Sequence, residues 1–158
     1  MIGRLQSMLT RTNIIVTVFF AIYVAIMFVH TPGICIVQGT SMTPTLKDKQ
    51  VLFCAKPTQI ERGDIVIIKL DDGTKIIKRV IGIPNDWIHI HDGRVYVNET
   101  IFDDRQTDYA GLVVIPFPLG EGRYFVLGDN RADSLDSRYP YVSIIDEEQI
   151  IRKVFFVE

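Results

Sequence analysis

This sequence of 158 residues has few cysteines, no excess of positive charge and no acidic residue near its N-terminus. Two cysteines, Cys35 and Cys54, are too few for a disulfide framework or a cysteine-based metal site. Both lie in apolar segments, which predicts buried thiols, and a single bridge between them is the alternative. The net charge of −2 excludes the basic surface typical of nucleic-acid binding. Repeats and low-complexity tracts are also missing, so we expect one folded domain and a short additional segment.

The N-terminal segment has the pattern of a membrane anchor. It contains Arg4 and Arg11 but no acidic residue, and the apolar run Ile14–Val29 follows, interrupted by the polar Thr17. As a helix this run would be about 24 Å long, slightly less than a hydrocarbon core of about 30 Å. Positive charge before the run places the N-terminus in the cytoplasm. We therefore expect a cytoplasmic segment over 1–13, a transmembrane anchor over 14–31 and a folded domain over 32–158 on the outer face of the cell membrane.

Two alternatives compete with an anchor. A cleaved signal peptide also has a basic start and an apolar run, but no small-x-small cleavage site follows this one. A buried core helix would be apolar on one face, whereas the run is apolar on all sides.

The rest of the sequence predicts strands. Short β-branched runs are separated by turn residues, and Asp92-Gly93 between two of them is a strong hairpin signal. We expect a mainly β domain of barrel-like or sandwich form. The predicted strands are Ile34–Gln38, Val51–Ala55, Ile65–Leu70, Thr74–Ile83, Trp87–His91, Arg94–Asn98, Arg123–Leu127 and Lys153–Val157, with one helical turn at Asp146–Gln149.

Two features invite a metal-site interpretation and fail it. His89 and His91 share one strand face, but no carboxylate or cysteine joins them at ligand spacing. The acid-rich loop Gly128–Arg138 has Ser134 where a calcium loop needs glycine, and Pro140 where it needs glutamate. We expect no metal and no cofactor.

The stretch Gly39–Leu46, Gly-Thr-Ser-Met-Thr-Pro-Thr-Leu, presents Ser41 in a turn. Pro44 fixes its own backbone and favours extended geometry at Thr43, so a helix cannot continue from Ser41. A hydroxyl at the end of an extended segment is a candidate nucleophile, and a solvated turn is the alternative. The Gly-x-Ser-x-Gly elbow of α/β-hydrolases does not apply, because Thr43 replaces the second glycine.

A candidate partner for this serine is Lys78, which shares a predicted strand face with Ile76 and Val80. A lysine between apolar residues on a core-facing strand is desolvated, and its lowered pKa lets it act as a general base. The alternative is an edge strand with Lys78 reaching water. Because no histidine lies near these segments, a serine–lysine dyad is favoured over a serine–histidine–aspartate triad.

Four segments, in this order, resemble the motifs of bacterial type I signal peptidases, also called leader peptidases, of the small kind with one N-terminal anchor. With the predicted anchor they cover most of the chain and leave residues 85–125 without a motif. One such segment is moderately specific, and four in order are highly specific. The segments are Gly39–Leu46, Arg62–Val66, Ile77–Pro84 and Gly128–Arg138.

The resemblance implies a serine endopeptidase that removes signal peptides from exported preproteins, with a catalytic domain of coiled antiparallel β-sheets. Ser41 would be the nucleophile and Lys78 the general base, with Ser134 orienting the lysine by a hydrogen bond. The oxyanion would be bound by the backbone N–H of Ser41, near Gly39, which has no side-chain donor. The resemblance further implies structural ion pairs between Arg79 and Asp129 and between Asp136 and Arg138, and substrate-pocket positions at Val37, Met42, Leu46, Ile76 and Ile77.

The implied partners are the lipid bilayer and secretory preproteins with small residues at the first and third positions before the cut. Some positions depart from the family pattern. Asn85 stands where glycine is frequent, and asparagine tolerates positive φ. Ala132 and Asp133 replace an acid and an amide, which removes one polar contact and moves a charge. Gly39 lacks the hydroxyl that some relatives use to stabilise the oxyanion.

Two other function classes were weighed against this one. A non-catalytic relative that assists the assembly of surface structures would not need the dyad, yet both Ser41 and Lys78 are present. A soluble self-cleaving repressor would need a helical DNA-binding segment where this chain has its apolar run.

Overall fold

The computed structural model describes residues 13–23, 33–103 and 117–155. The chain divides into two compact units, Met1–Pro32 and Gly33–Glu158. In the first unit, residues 13–23 are helical and their apolar side chains are exposed. Within the three described ranges, no helix has both the length and the hydrophobicity needed to cross a membrane. Residues 1–12 and 24–31 lie outside the described ranges, so the anchor and the cytoplasmic segment stay predictions.

In the described residues, the second unit consists of two antiparallel sheets. Their strands are β1 (Gly33–Ile36), β2 (Val51–Ala55), β3 (Ile65–Lys69), β4 (Lys75–Gly82), β5 (Trp87–His91), β6 (Arg94–Val97), β7 (Thr100–Asp103), β8 (Phe117–Pro118), β9 (Arg123–Leu127), β10 (Ile145–Asp146) and β11 (Ile150–Val154). Seven of these strands form the larger sheet in the order β1-β2-β11-β3-β4-β9-β10, and four form the smaller one in the order β7-β6-β5-β8.

The mainly β prediction is confirmed, but the barrel-like form is wrong. In the described part of the chain both sheets are open, because a barrel needs a ladder between its first and last strands. The end strands of the larger sheet are short, four residues in β1 and two in β10. The sequence pattern identifies strands but does not contain the register that would close a sheet.

Strand boundaries differ from the prediction mainly at the C-terminal end. The last strand is Ile150–Val154 rather than Lys153–Val157. It begins earlier because the predicted helical turn is a short 3₁₀ helix, Glu147–Gln149, after which the backbone is extended from Ile150 onward. A capping box from Asp146 satisfies the N-terminus of this turn. The predicted hairpin of β5 and β6 is present, with Asp92 and Gly93 both at positive φ.

The second sheet packs on the first through one apolar cluster. Ile81 of β4 and Phe125 and Leu127 of β9 contact Ile88 of β5 and neighbouring residues of the small sheet. Gly82 allows this approach, because a Cβ there would come within 2.7 Å of the Ile88 side chain. The small sheet thus supports β4 and β9 from one side. Asn85, in the turn before β5, has φ 72, which asparagine can adopt.

The two cysteines form a disulfide, so the prediction of buried thiols is wrong and the alternative of a single bridge is what the structure shows. In the β1–β2 ladder Cys35 lies opposite Leu52, and Gly33 lies opposite Cys54. The cysteines are therefore diagonal neighbours on one face, with Cα atoms 6.3 Å apart. The alternation of apolar residues predicts both strands but cannot predict which residues lie side by side.

We expect this bridge to stabilise the edge of the larger sheet. The cysteines are 19 residues apart in sequence, and closing a loop of this size in the unfolded chain is worth about 3 kcal/mol. Reductant should therefore lower the urea midpoint of the wild-type chain. Cys35→Ser should show the lower midpoint without reductant and no further response to it. Equal midpoints for wild type and Cys35→Ser under oxidising conditions would contradict this expectation.

Candidate active site

Ser41 lies in a compact turn between β1 and β2. Val37 N–H donates to the Gln50 carbonyl at 2.9 Å, which continues the pairing of the two chains beyond β1. Gly39 then turns the backbone at φ 88, and its N–H donates to Asp48 Oδ1 at 2.8 Å. The half-buried Ser41 follows directly.

Apolar side chains of the turn also pack into the core. Met42 and Leu46 are fully buried in a cluster with Leu52, Ile65 and Val37. Leu46 N–H donates to the Met42 carbonyl at 2.9 Å. Ser41 is therefore at the rim of a packed core rather than in a solvated loop.

Lys78 comes from the middle of β4, where it lies opposite Val66 of β3. Its side chain is only 3% exposed, and Nζ donates a hydrogen bond to Ser41 Oγ at 2.7 Å. The alternative of a lysine reaching water is therefore wrong. The structure brings together two residues that are 37 positions apart in the sequence.

Burial lowers the pKa of Lys78 from 10.5 to about 8, because the desolvated ammonium is disfavoured. The carboxylates of Asp136 and Asp133 oppose this effect by raising the pKa, and Arg138 adds to it. Near pH 7 Lys78 is thus neutral in a much larger fraction of molecules than an ordinary lysine is, and only the neutral amine can accept a proton.

The hydrogen bond predicted between Ser134 and Lys78 is not present. Ser134 Oγ is buried and has no hydrogen-bond partner in the described residues. The Ser134 side chain packs instead against Gly128, where a Cβ would collide with the hydroxyl. A Cβ at Gly128 would also come within 2.5 Å of the Ser41 carbonyl oxygen. The absence of a side chain at Gly128 therefore lets the loop approach the turn of Ser41.

The structure places both predicted ion pairs around this loop. Arg138 Nε lies 2.7 Å from Asp136 Oδ1, and both side chains are fully buried. Arg79 binds Asp129 through two hydrogen bonds of 2.8 and 2.6 Å, and Arg79 also donates to the Gly63 carbonyl. Two contacts per pair fix the orientation of each arginine, which suits a structural role.

Sequence reasoning missed the residues that join the loop to the turn. Asn130 N–H donates to the Ser41 carbonyl at 3.0 Å, and Asn130 Nδ2 donates to the Thr40 carbonyl at 3.2 Å. Within the loop itself, Gly128 N–H donates to Asp136 Oδ2 at 2.9 Å. The short polar residues of the loop motif were the available signal, but their partners lie about 90 residues away, which a pattern along the chain cannot indicate.

The profile of the family described as "Signal peptidase, peptidase S26" matches residues 8–157, which include Ser41, Lys78 and the whole loop Gly128–Arg138. The chain belongs to this family. The S26 peptidase is similar to a signal peptidase I of Bacillus licheniformis, at 35% identity over 77% of this chain and 74% of that protein. It is also similar to a signal peptidase IB of Staphylococcus aureus, at 32% identity over 90% of this chain and 84% of that protein.

A crystal structure of a signal peptidase I from Enterococcus faecalis aligns with this S26 peptidase at a TM-score of 0.47 and 24% sequence identity. The alignment covers 64% of this chain and 97% of the E. faecalis chain.

A cleft of about 430 Å³ opens beside the dyad of this S26 peptidase. Of the predicted pocket residues, Val37, Ile76 and Ile77 line it, whereas Met42 and Leu46 lie in the buried core. Its other lining residues include Ile34, Ile36, Leu52, Ile67, Gln38, Lys75 and Arg152. The cleft thus combines aliphatic side chains with polar and charged groups, and Ser41 and Lys78 lie in its wall.

A larger cavity of about 820 Å³ is lined by residues 56–60 and by Asp146, Glu147 and Glu148. Neither Ser41 nor Lys78 lines it, and its charged groups are mostly acidic. We therefore assign the candidate active site to the smaller cleft, where a desolvated base contacts a hydroxyl.

Proposed function

We propose that this chain is a membrane-anchored serine endopeptidase that removes signal peptides from secretory preproteins, with Ser41 as nucleophile and Lys78 as general base. The observation that carries the proposal is the 2.7 Å hydrogen bond between a buried lysine amine and a serine hydroxyl. The substrate class is proposed from family membership and from relatives named signal peptidase I.

The first step is proton transfer from serine to lysine. Neutral Lys78 accepts the proton of Ser41 Oγ while the oxygen attacks the carbonyl carbon before the cut. The resulting oxyanion needs preorganised donors, and the backbone N–H of Ser41 is one candidate. Among the described residues no group accepts a hydrogen bond from it. The N–H of Gly39 is already donated to Asp48.

The second step uses the same lysine in the opposite direction. Protonated Lys78 gives its proton to the leaving amine, which departs as the new N-terminus of the mature protein. The acyl group remains on Ser41 as an ester. Lys78, neutral again, then takes a proton from water while the water oxygen attacks the ester carbon. When the bond to Ser41 Oγ breaks, Lys78 gives that proton to Oγ, which releases the signal peptide as a carboxylic acid and restores the serine hydroxyl and the neutral amine.

The cleft accounts for the proposed preference for small residues before the cut. Ile76, Ile77 and Val37 crowd the wall next to Ser41 and Lys78. A larger side chain there would displace the scissile carbonyl, and a displacement of about 1 Å can cost about 100-fold in rate. Small residues at the first and third positions before the cut avoid this displacement.

The membrane part of the proposal is supported by the sequence alone. The apolar run from residue 14 to residue 29 after a basic segment fits a single anchor with the cytoplasmic side at the N-terminus. The catalytic unit would then meet preproteins on the outer face, where their signal peptides emerge from the bilayer.

A non-catalytic role in assembling surface structures is the second candidate considered from the sequence. No observation favours it, since burying the Lys78 amine is costly unless that amine has a use.

Lys78→Arg should abolish cleavage of a preprotein with Ala-x-Ala before the cut, because a guanidinium stays protonated at working pH. The wild-type rate should rise with pH through a midpoint near the pKa of about 8 and then level off, since only the neutral amine is active. Cleavage by the full chain in detergent, with the cut mapped by mass spectrometry, measures both. Ser41→Ala is the matched control for the nucleophile. Near wild-type cleavage by Lys78→Arg would show that the lysine is not the base.

Protease added to right-side-out vesicles should digest the catalytic unit and spare the N-terminal segment, because the anchor prediction places Ser41 outside. A tag at residue 1 and another at residue 158 report the two sides in one experiment. Full protection of the C-terminal tag, or recovery of the whole chain in the soluble fraction, would refute the predicted topology.

A further inference from the structure

Thr40, the residue immediately before Ser41, is held by a carboxylate of the Gly128–Arg138 loop. Thr40 Oγ1 donates to Asp133 Oδ2 at 2.5 Å, a short hydrogen bond to an ionised acceptor. Both side chains are exposed, so the bond is not part of the core. Asp133 is also a position at which the sequence departs from the family motif, so the family pattern assigns this carboxylate no role.

The backbone around Asp133 is fixed on both sides. Before it, Asp133 N–H donates to the Asn130 carbonyl at 3.1 Å in the 3₁₀ turn. The buried guanidinium of Arg138 donates to the carbonyl of Arg131, before Asp133, at 2.8 Å and to the carbonyl of Ser134, after it, at 3.3 Å. The carboxylate that binds Thr40 is therefore attached to a backbone segment that hydrogen bonds restrain. Precise positioning of a reactive group requires such support.

We propose that Asp133 is a positioning residue for the cleavage reaction, whose carboxylate holds the turn that presents Ser41 through the Thr40 hydroxyl. The proposal rests on the function of Ser41 and Lys78 proposed above and deepens it. Asn130 binds two backbone carbonyls of the same turn, those of Thr40 and Ser41. The Asp133 bond adds a restraint on the Thr40 side chain to those two backbone contacts, which limits rotation of the turn about them.

The charge of Asp133 also affects the pKa of Lys78, and this effect can be measured separately from the hydrogen bond to Thr40. The groups that act on Lys78 are burial, which lowers its pKa most, then Asp136, which raises it, Arg138, which lowers it, and Asp133, which raises it. Two further cations, Lys75 and Arg152, line the cleft. Removing the Asp133 charge should therefore lower the pKa of Lys78 and move the rate–pH midpoint to lower pH. Removing the Thr40 hydroxyl should leave that midpoint in place.

The test uses five single variants and the double variant Thr40→Val/Asp133→Ala, all in the full chain in detergent with a preprotein substrate, and kcat and KM are measured over about pH 6 to 10. Asp133→Asn keeps an acceptor oxygen for Thr40 without the charge, and Asp133→Ala removes both. Thr40→Val removes the hydroxyl with nearly unchanged shape, and Thr40→Ser keeps the hydroxyl. Glu121→Gln, at an exposed acid in the turn before β9, is the control for loss of one negative charge.

We expect Thr40→Val and Asp133→Ala each to lower kcat about tenfold, the worth of one hydrogen bond to a charged group. KM should change little, the double variant should be no worse than either single one, and Thr40→Ser should be close to wild type. Asp133→Asn should shift the midpoint to lower pH, and Glu121→Gln should not.

Wild-type kcat in Thr40→Val and Asp133→Ala, or a loss confined to KM, would overturn the positioning role. Losses that add in the double variant would overturn the Thr40–Asp133 link, and an unchanged midpoint in Asp133→Asn would overturn the effect of charge. Failure of the proposed function looks different: the wild-type chain would not cleave, or Ser41→Ala would still cleave, and both proposals would then fall.

Discussion

The burial of the Lys78 amine against the Ser41 hydroxyl is the constraint on which the rest of the site depends. A fall in the pKa from 10.5 to about 8 corresponds to about 3 kcal/mol. Below about pH 8 the folded protein holds a desolvated ammonium, which costs stability, and this cost disappears as the pH rises past the ordinary lysine value. Such a group persists only where packing elsewhere compensates for it. In this fold the compensation comes from the apolar clusters on β3, β4 and β9.

The loop Gly128–Arg138 gives that amine its partner in the correct position. A buried Asp136–Arg138 pair stabilises the loop, and Asn130 attaches it to the turn of Ser41. Gly128 allows the two segments to approach. The nucleophile and the base are thus set by different elements, the turn and β4, and the loop links the turn to the sheet. The element that buries the lysine is therefore not the element that orients the serine.

The sequence predicted which residues form the site better than it predicted the contacts between them. Ser41 and Lys78 were identified because a turn and a strand period each place one side chain, and both signals are local. Ser134 was placed at the lysine by resemblance, yet its hydroxyl packs against Gly128, since the contact depends on how two loops fit together. Met42 and Leu46 were expected in the pocket and lie in the core for the same reason. The disulfide and the openness of the sheets depend on register, which alternation along a strand does not specify.

The most direct test is the titration of Lys78 itself in the folded chain, independent of any substrate. Lysine labelled with carbon-13 next to the amine reports its protonation by NMR, and the Lys78 signal is assigned by its loss in Lys78→Arg. We expect a midpoint near pH 8. A midpoint at the ordinary lysine value of 10.5 would mean that the amine is hydrated, and it would contradict the role of Lys78 as the base for Ser41.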